Sequence, residues 1–581
     1  MIPMQLDKNT IIKDIIARHP ETFEVFKRHR LVLAGGVRGP NEPLAFFCKA
    51  HDVNLEILLK ELEEAIAKGP TPGMVAPPLV EDIIYYRYVK AALVMVLTAG
   101  CTFGAGILSY IALKFDYYVP PVILIQSHGH AQLFGWVGLF VMGFAYYILP
   151  RVKNTDLHAW QITYLSFWGM LVGTVLRTLV QTQPGTPLAF LIPLSGALQL
   201  LAVLIFCYVL FMTVRSSQLP KEIFDKFFVA GLIWFFAATI QNLHIDLYLY
   251  QHSTMEIPSS FHRQLIHVFL FGFVCMFIFG VNLRTVYAFL DVQRPNPTLV
   301  NLAFWVINAS IFLYFFEYPS PWLTYVLVGA VFLFIYGLRV FERSTKELAD
   351  VIMDRSYEKT IRTAYLWLIV GMLIRVVVPS LGESTPKGHL FYGSSNHAIT
   401  VGFISMMMIG YASKMVPTFR GMNIYSFRLS ELTFILLNLG IFLRVSFQML
   451  VPTYPSVAYP AVGISGWIEV TALALFAYNL WKTMDMEEEP VKVCPTKKLE
   501  RVSKDNKVSE VIEQHPETLE VFLQFGFHQI TNPVARRTMA KMVTLEGACQ
   551  FKGVDLEKVL KALNDKLESC RSTSDKEKPC L

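Results

Sequence analysis

Along the chain, a long apolar middle is flanked by two polar ends. Between residues 85 and 484, twelve apolar runs are each long enough to cross a ~30 Å hydrocarbon core. The first lies near 88–113 and the last near 458–481. The ends carry a helical pattern instead, with Ile11, Ile12, Ile15 and Ile16, then Phe23 and Phe26, at helical spacing. That pattern recurs near the other end. HPETFEVF at 19–26 is matched by HPETLEVF at 515–522, and VNLEILLKEL from Val53 by VDLEKVLKAL from Val554. Matching motifs at matching distances predict a duplicated helical module, placed at 1–69 and 505–568. Linkers are expected at 70–84 and 485–504 and a tail at 569–581, so both modules are expected to hang free of the membrane domain 85–484. The fold class is all-α: a polytopic membrane protein of twelve transmembrane helices with a small helical domain at each end.

Composition agrees. Of 581 residues, 54% are hydrophobic and only 17% charged, against about 25% charged in a soluble globular chain. A net charge of +6 over this length leaves no basic footprint for nucleic acid. The partner implied is a lipid bilayer. Connections after even-numbered spans hold sixteen Lys and Arg residues, against three after odd-numbered ones (Lys114, Arg263 and Lys387). The positive-inside rule then puts both termini in the cytoplasm. The eight Cys form no CxxC pair, which suits a reducing compartment and suggests neither zinc nor a disulfide framework.

Chemistry enters with the histidines, because ionisable groups inside a membrane are costly and mark functional sites. His130, His267 and His397 each open the motif His-x4-Gly-x7-Gly, on spans 2, 6 and 10. They stand 137 and 130 residues apart, four spans each time. Twelve helices therefore divide into three four-helix arcs, each offering one His from its second helix. His128 on span 2, His262 on span 6 and His244 near the end of span 5 accompany them. Arg177, Arg375 and Arg444 share the pattern Gly-x3-Arg. Such a ring of imidazoles with buried guanidiniums fits haem, with His as axial ligand and Arg pairing propionates. His397 and one of His128 and His130, with His130 preferred because it keeps the repeat phase, are the first candidates for ligating iron, and His267 joins by phase. His262 with His244 is a candidate shallower copper site or a hydrogen-bonded pair. Glu469 is a lone carboxylate in span 12, suited to proton relay or to pairing with a neighbouring helix.

SHGHAQLFGWVGLFVMGFAYYILPR (127–151) and NHAITVGFISMMMIGYASKMVPTFRG (396–421) resemble the signature helices of the NnrS family, haem- and copper-containing membrane proteins linked to nitric oxide and nitrite respiration. More distantly, the arrangement resembles subunit I of haem-copper oxidases, although the His-x-His pair sits here on span 2 and span 7 has no His. The flanking modules resemble the DUF1858-type domain, without the Cys pair frequent there, so docking or regulation is expected of them rather than thiol chemistry. The resemblance implies one or two b-type haems, copper as a further metal, nitric oxide or another small diatomic as ligand, a quinol or cytochrome electron donor, and a bacterial inner membrane. Three functions stay open at this stage: a haem protein handling nitric oxide as a reductase, detoxifier or sensor; an oxidase-like respiratory subunit; and a non-enzymatic metal or anion transporter.

Overall fold

The structure is a computed structural model. It describes residues 6–29, 39–69, 81–183, 187–316, 321–351, 353–382, 385–486, 501–515, 518–527 and 543–574. Most of both expected linkers, and the tail beyond 574, fall outside these ranges. Among the described residues there are helices and two isolated bridges, and no strands. In hydrocarbon each backbone N–H and C=O must find its partner within the chain, and a helix achieves this segment by segment. Twelve helices among the described residues are long and apolar enough to span: Ile84–Lys114, Val122–Val152, Trp160–Gln181, Pro187–Ser216, Asp225–Gln251, Ser259–Phe289, Pro297–Phe316, Pro321–Leu338, Ser356–Leu381, Pro386–Phe419, Phe427–Leu450 and Pro455–Asp485. They are numbered here as spans 1 to 12. Spans 2, 6 and 10 are the most deeply enclosed by the rest of the protein, as the central helices of three arcs should be.

The glycines of His-x4-Gly-x7-Gly explain how the arcs are built. A Cβ at Gly135, Gly272 or Gly402 would stand 2.9, 2.6 and 2.7 Å from Met95, Trp234 and Trp367, on spans 1, 5 and 9. Gly143, Gly280 and Gly410 similarly meet Tyr88, Phe227 and Thr360, seven residues earlier on the same three spans. These glycines therefore seat the preceding helix. Small residues let helices approach closely where lipid supplies no hydrophobic drive. In two arcs the seated side chain reaches further. The indole N–H of Trp234 donates to Asn308 Oδ1 (2.8 Å) and that of Trp367 to Asn438 Oδ1 (2.9 Å), tying in spans 7 and 11.

The chain divides into two compact units, residues 1–490 and 491–581. In the first, the N-terminal module does not hang free. Its helices Ile12–Arg18, Phe23–Arg28, Leu44–His51 and Leu55–Lys68 enclose a small core of Ile12, Ile15, Phe26, Phe47, Leu58 and Leu62. The helix Leu44–His51 then packs onto the membrane bundle. Phe46 joins the bundle's own core beside Phe289. Lys49 forms a buried ion pair with Asp291 and donates to Thr345 Oγ1 (2.8 Å). Glu42 pairs with Lys414 at 2.7 Å. Arg284 and Tyr287 both donate to the Ala50 carbonyl at 3.1 Å. The module thus covers the ends of spans 6 and 10, and the histidines lie towards the opposite membrane face. The second unit repeats the module, with helices Val508–Gln514, Leu519–Gln524, Leu545–Lys552 and Leu556–Ser574 around Val511, Phe522, Leu545 and Leu563.

Burial alone would raise the Asp291 carboxyl, but hydrogen bonds from Lys49, Ser344 and Thr345 outweigh it and hold the group below its ordinary range. The pair's contribution is therefore complete above the unfolded value near ~3.9 and is lost as pH falls through the lower folded value. Asp291→Ala removes the buried carboxylate and leaves Lys49 only Thr345 and the exposed Glu347 (3.2 Å), so amide exchange across 44–51 should rise by about tenfold, ~1.4 kcal/mol, with span exchange unchanged. Within the bundle, Gly402→Ala should cost about 1–3 kcal/mol by overpacking in detergent unfolding. Gly106→Ala, where a Cβ meets open space, should be neutral or stabilising by up to ~1 kcal/mol.

Candidate functional site

Each of the three motif histidines ends an α-helical segment and is followed at once by a π-helical stretch: Ala131–Gly138 after His130, Val268–Val274 after His267, and Ala398–Ser405 after His397. The wider turn re-aims everything downstream of it, and such stretches are frequent at functional sites. The three histidines share this backbone setting but differ in surroundings.

In the first arc, His130 belongs to a buried polar chain. The Gln199 amide on span 4 donates to His130 Nε2 (2.9 Å) and lies 3.1 Å from Thr174 Oγ1 on span 3. Asn242 on span 5 donates to Gln199 Oε1 (2.9 Å) and to Asp246 Oδ2 (3.4 Å). Asp246 forms an ion pair with Arg177, and both side chains are fully buried. Arg177 Nε donates in turn to Gln181 Oε1 (3.1 Å), and Gln181 to the Met255 carbonyl (3.0 Å). A guanidinium and a carboxylate persist in hydrocarbon only when paired and hydrogen-bonded in this way. His262 lies within electrostatic reach of His130 and Arg177. His244 is exposed and packs edge-on against Phe261, and among the described residues no hydrogen bond joins it to His262.

In the third arc, His397 Nε2 donates to the Glu469 carboxylate at 3.1–3.2 Å. The two arcs correspond: Gly173 abuts Gln199 and the Ser195 carbonyl, and Gly440 abuts Glu469 and the Ser465 carbonyl. Gln199 and Glu469 therefore occupy equivalent places. Arg444 bonds the Tyr117 hydroxyl (2.9 Å). His128 shares this compartment, within electrostatic reach of His397, Arg444 and Glu469. Its Nδ1 donates to the Gly100 carbonyl (3.0 Å), at the end of a further π-helical stretch in span 1. Its ring lies so close over Gly104 that a Cβ there would stand 2.6 Å away. The bond at Nδ1 leaves the Nε2 lone pair for a ligand. His128 and His130, two residues apart, thus serve different arcs, and His397 lies within electrostatic reach of the first of them.

The second arc has no counterpart of Gln199 or Glu469. His267 is 4% exposed, and neither ring nitrogen has a hydrogen-bond partner among the described residues. Its ring stacks on Tyr314 (3.8 Å between centroids) and meets Phe271 at 5.1 Å. Arg375 lies within electrostatic reach, over the Phe271 and Tyr392 rings and hydrogen-bonded to Ser395 and Asn396. Arg375 belongs to the first helix of its arc, whereas Arg177 and Arg444 belong to third helices, so the shared Gly-x3-Arg pattern covers two different roles.

Among the described residues, no three His, Cys, Asp or Glu groups converge as a metal cage. Haem asks less of a protein, one or two axial donors. A buried imidazole with both nitrogens uncommitted fits that requirement, as does a nearby guanidinium for carboxylates.

Sequence reasoning missed Gln199, Thr174, Asn242 and Asp246. The available signal was Asn-x3-Asp inside an apolar span, a carboxylate one helical turn from an amide. It matches Arg177 as the opposite intramembrane charge.

Three-arc geometry with imidazoles set at equivalent heights defines an all-helical, multi-pass membrane protein with enclosed polar sites. Residues 85–484 match the NnrS family, described as NnrS protein, and the chain belongs to that family. Residues 502–560 match DUF1858, a domain of unknown function. A relative in Aquifex aeolicus (strain VF5), an uncharacterized protein, is 24% identical over 295 residues, covering 47% of this chain and 69% of that one.

The Arg177–Asp246 pair yields a stability test. Arg177→Met or Asp246→Leu alone leaves an uncompensated buried charge and should cost about 3–5 kcal/mol. Combining the two should cost clearly less than their sum, measured by unfolding in detergent.

Proposed function

We propose that this NnrS-family protein binds b-type haem within the bilayer and uses it to handle nitric oxide or a related diatomic molecule. The observation that carries the reading is His267, a buried imidazole with two uncommitted nitrogens at the height where the other arcs present His130 and His397. In those arcs Nε2 is already taken by Gln199 or Glu469, so His267 would be the preferred residue to hold the iron and His128, open at Nε2, the second. When bound, haem would supply an iron centre for diatomic binding or reduction. The chain's own part is to fix the imidazole plane by stacking on Tyr314 and to offer the Arg375 charge to a carboxylate. Copper would compete with iron for the same open His128 Nε2, since imidazole suits it as well. The sixteen-to-three charge bias supports an orientation with both termini in the cytoplasm of a bacterial inner membrane. Electrons would come from a quinol or a cytochrome.

Protein purified in detergent should carry a Soret band and stoichiometric haem, and turn over nitric oxide rather than oxygen with an artificial donor. His267→Ala should remove at least half of the haem, whereas His244→Ala, an exposed position, should remove none. Wild-type protein without haem would overturn the cofactor. Full haem in folded His267→Ala would overturn this ligand and leave the cofactor standing.

A further inference from the structure

Well away from the polar sites, the three signature spans, with Phe228 of span 5, line a half-open apolar cavity of about 80 Å³. Its walls follow the internal repeat. The offsets of 137 and 130 residues that relate the motif histidines carry Phe140 to Phe277 to Met407, and Val141 to Ile278 to Met408, and all six line the space. The cavity therefore lies where equivalent faces of spans 2, 6 and 10 meet. Phe140 follows His130 by ten residues, about 15 Å along a helix, so the cavity sits deeper towards the face covered by the N-terminal module.

Two polar side chains reach its wall, and both are committed elsewhere. The Tyr411 hydroxyl donates to Asn282 Oδ1, the Asn282 amide donates to the Tyr365 hydroxyl (2.5 Å), and Thr285 Oγ1 lies 2.6 Å from Tyr411. A buried water needs two to four polar partners, and an apolar cavity of ~150 Å³ stays dry and takes up benzene or xenon. At about half that volume, this one has room for two or three molecules of water size, ~30 Å³ each, but not for an aromatic ring alongside them. On the module side, the Tyr411 ring stacks on Phe289, which in turn meets Phe46 of the module.

We propose that this axial cavity binds small apolar gas molecules, neutral diatomics and rare-gas atoms, by shape and dispersion alone. The site's existence does not depend on haem. Its use for nitric oxide rests on the reading above. A small neutral diatomic partitions into hydrocarbon and is held by close apolar contact, which polarisable Met407, Met408 and the Phe rings supply.

The test uses crystals of the full chain pressurised with xenon. An anomalous peak is expected between Phe140, Phe277 and Met407. Ala145→Phe, and independently Val141→Phe, each project a ring into the space and should reduce that peak at least about fivefold, while xenon bound elsewhere in the same crystals is unchanged. Two variants from different positions guard against one failing to fold. No peak in the wild type, a lipid or detergent chain filling the space, or an undiminished peak in either folded variant would each overturn the proposal. Because xenon needs no iron, a negative haem result leaves this outcome readable by itself.

Discussion

The seating of first-helix side chains on glycines of the second helix, repeated in each arc, is the constraint on which the rest of the bundle depends. Lipid chains are as apolar as leucine side chains, so association of the spans rests on close packing and on interhelical hydrogen bonds. Six glycines provide the contact surface, and the residues seated against them (Met95, Trp234 and Trp367 at one level, Tyr88, Phe227 and Thr360 at the other) lie seven residues apart on every first helix. Once two helices are locked at both levels, the histidine one turn before the upper glycine has a fixed height. The π-helical stretch that follows it then sets how the lower half of the span is turned. The cavity on the common axis is a consequence of the same arrangement, since three equivalent faces that each lean on a preceding helix leave a gap where they meet.

Equivalence of backbone does not extend to chemistry. The fourth helix answers the histidine with an amide in the first arc, Gln199, and with a carboxylate in the third, Glu469. An amide N–H facing Nε2 requires that nitrogen to be unprotonated, whereas a carboxylate requires it to donate, so the proton absent from Nε2 of His130 is present on Nε2 of His397. The second arc replaces both with aromatic contact and leaves His267 unsatisfied. A buried polar atom with no partner costs about 1–3 kcal/mol, and inside a membrane water cannot relieve it. Retaining a histidine there rather than leucine or phenylalanine is what points to an external partner for its ring.

Linear spacing conveys height along a helix well and direction around it poorly. The twelve spans, the three arcs and the duplicated modules were legible because each rests on length or period. Which compartment a histidine enters was not legible. His128 and His130 differ by two residues and so by about 200° on a helix, and phase alone favoured pairing His130 with His397. The structure instead turns His130 to Gln199 and His128 towards Glu469 and Arg444. The π-helical stretches had no visible signature, being fixed by how neighbouring helices pack. Asp246 and Gln199 escaped notice because polar residues scattered singly in apolar spans gain meaning only once Arg177 and His130 are seen across the interface. The expected detachment of the first module failed for a related reason: a Pro/Gly-rich linker describes freedom of the chain, not the surface that the module finds.

That surface distinguishes two modules that are otherwise copies. Their backbone bonds correspond throughout: Leu44 N to Thr10 O with Leu545 N to Asn506 O, and Val53 N to Cys48 O with Val554 N to Cys549 O. The Thr22 and Thr518 hydroxyls each donate to the carbonyl of the preceding HP-motif histidine at 2.6 Å. Core positions are kept, as in Phe26 with Phe522, Cys48 with Cys549 and Leu62 with Leu563. By the same pairing, three side chains with which the first module grips the bundle have no equivalents in the second. Glu42 corresponds to Val543, Phe46 to Gly547 and Lys49 to Gln550. A buried ion pair and an inserted phenyl ring cannot be reproduced by an amide and a glycine. One scaffold has been kept twice for its stable core, while its outward helix has been specialised once, to close the end of the membrane bundle.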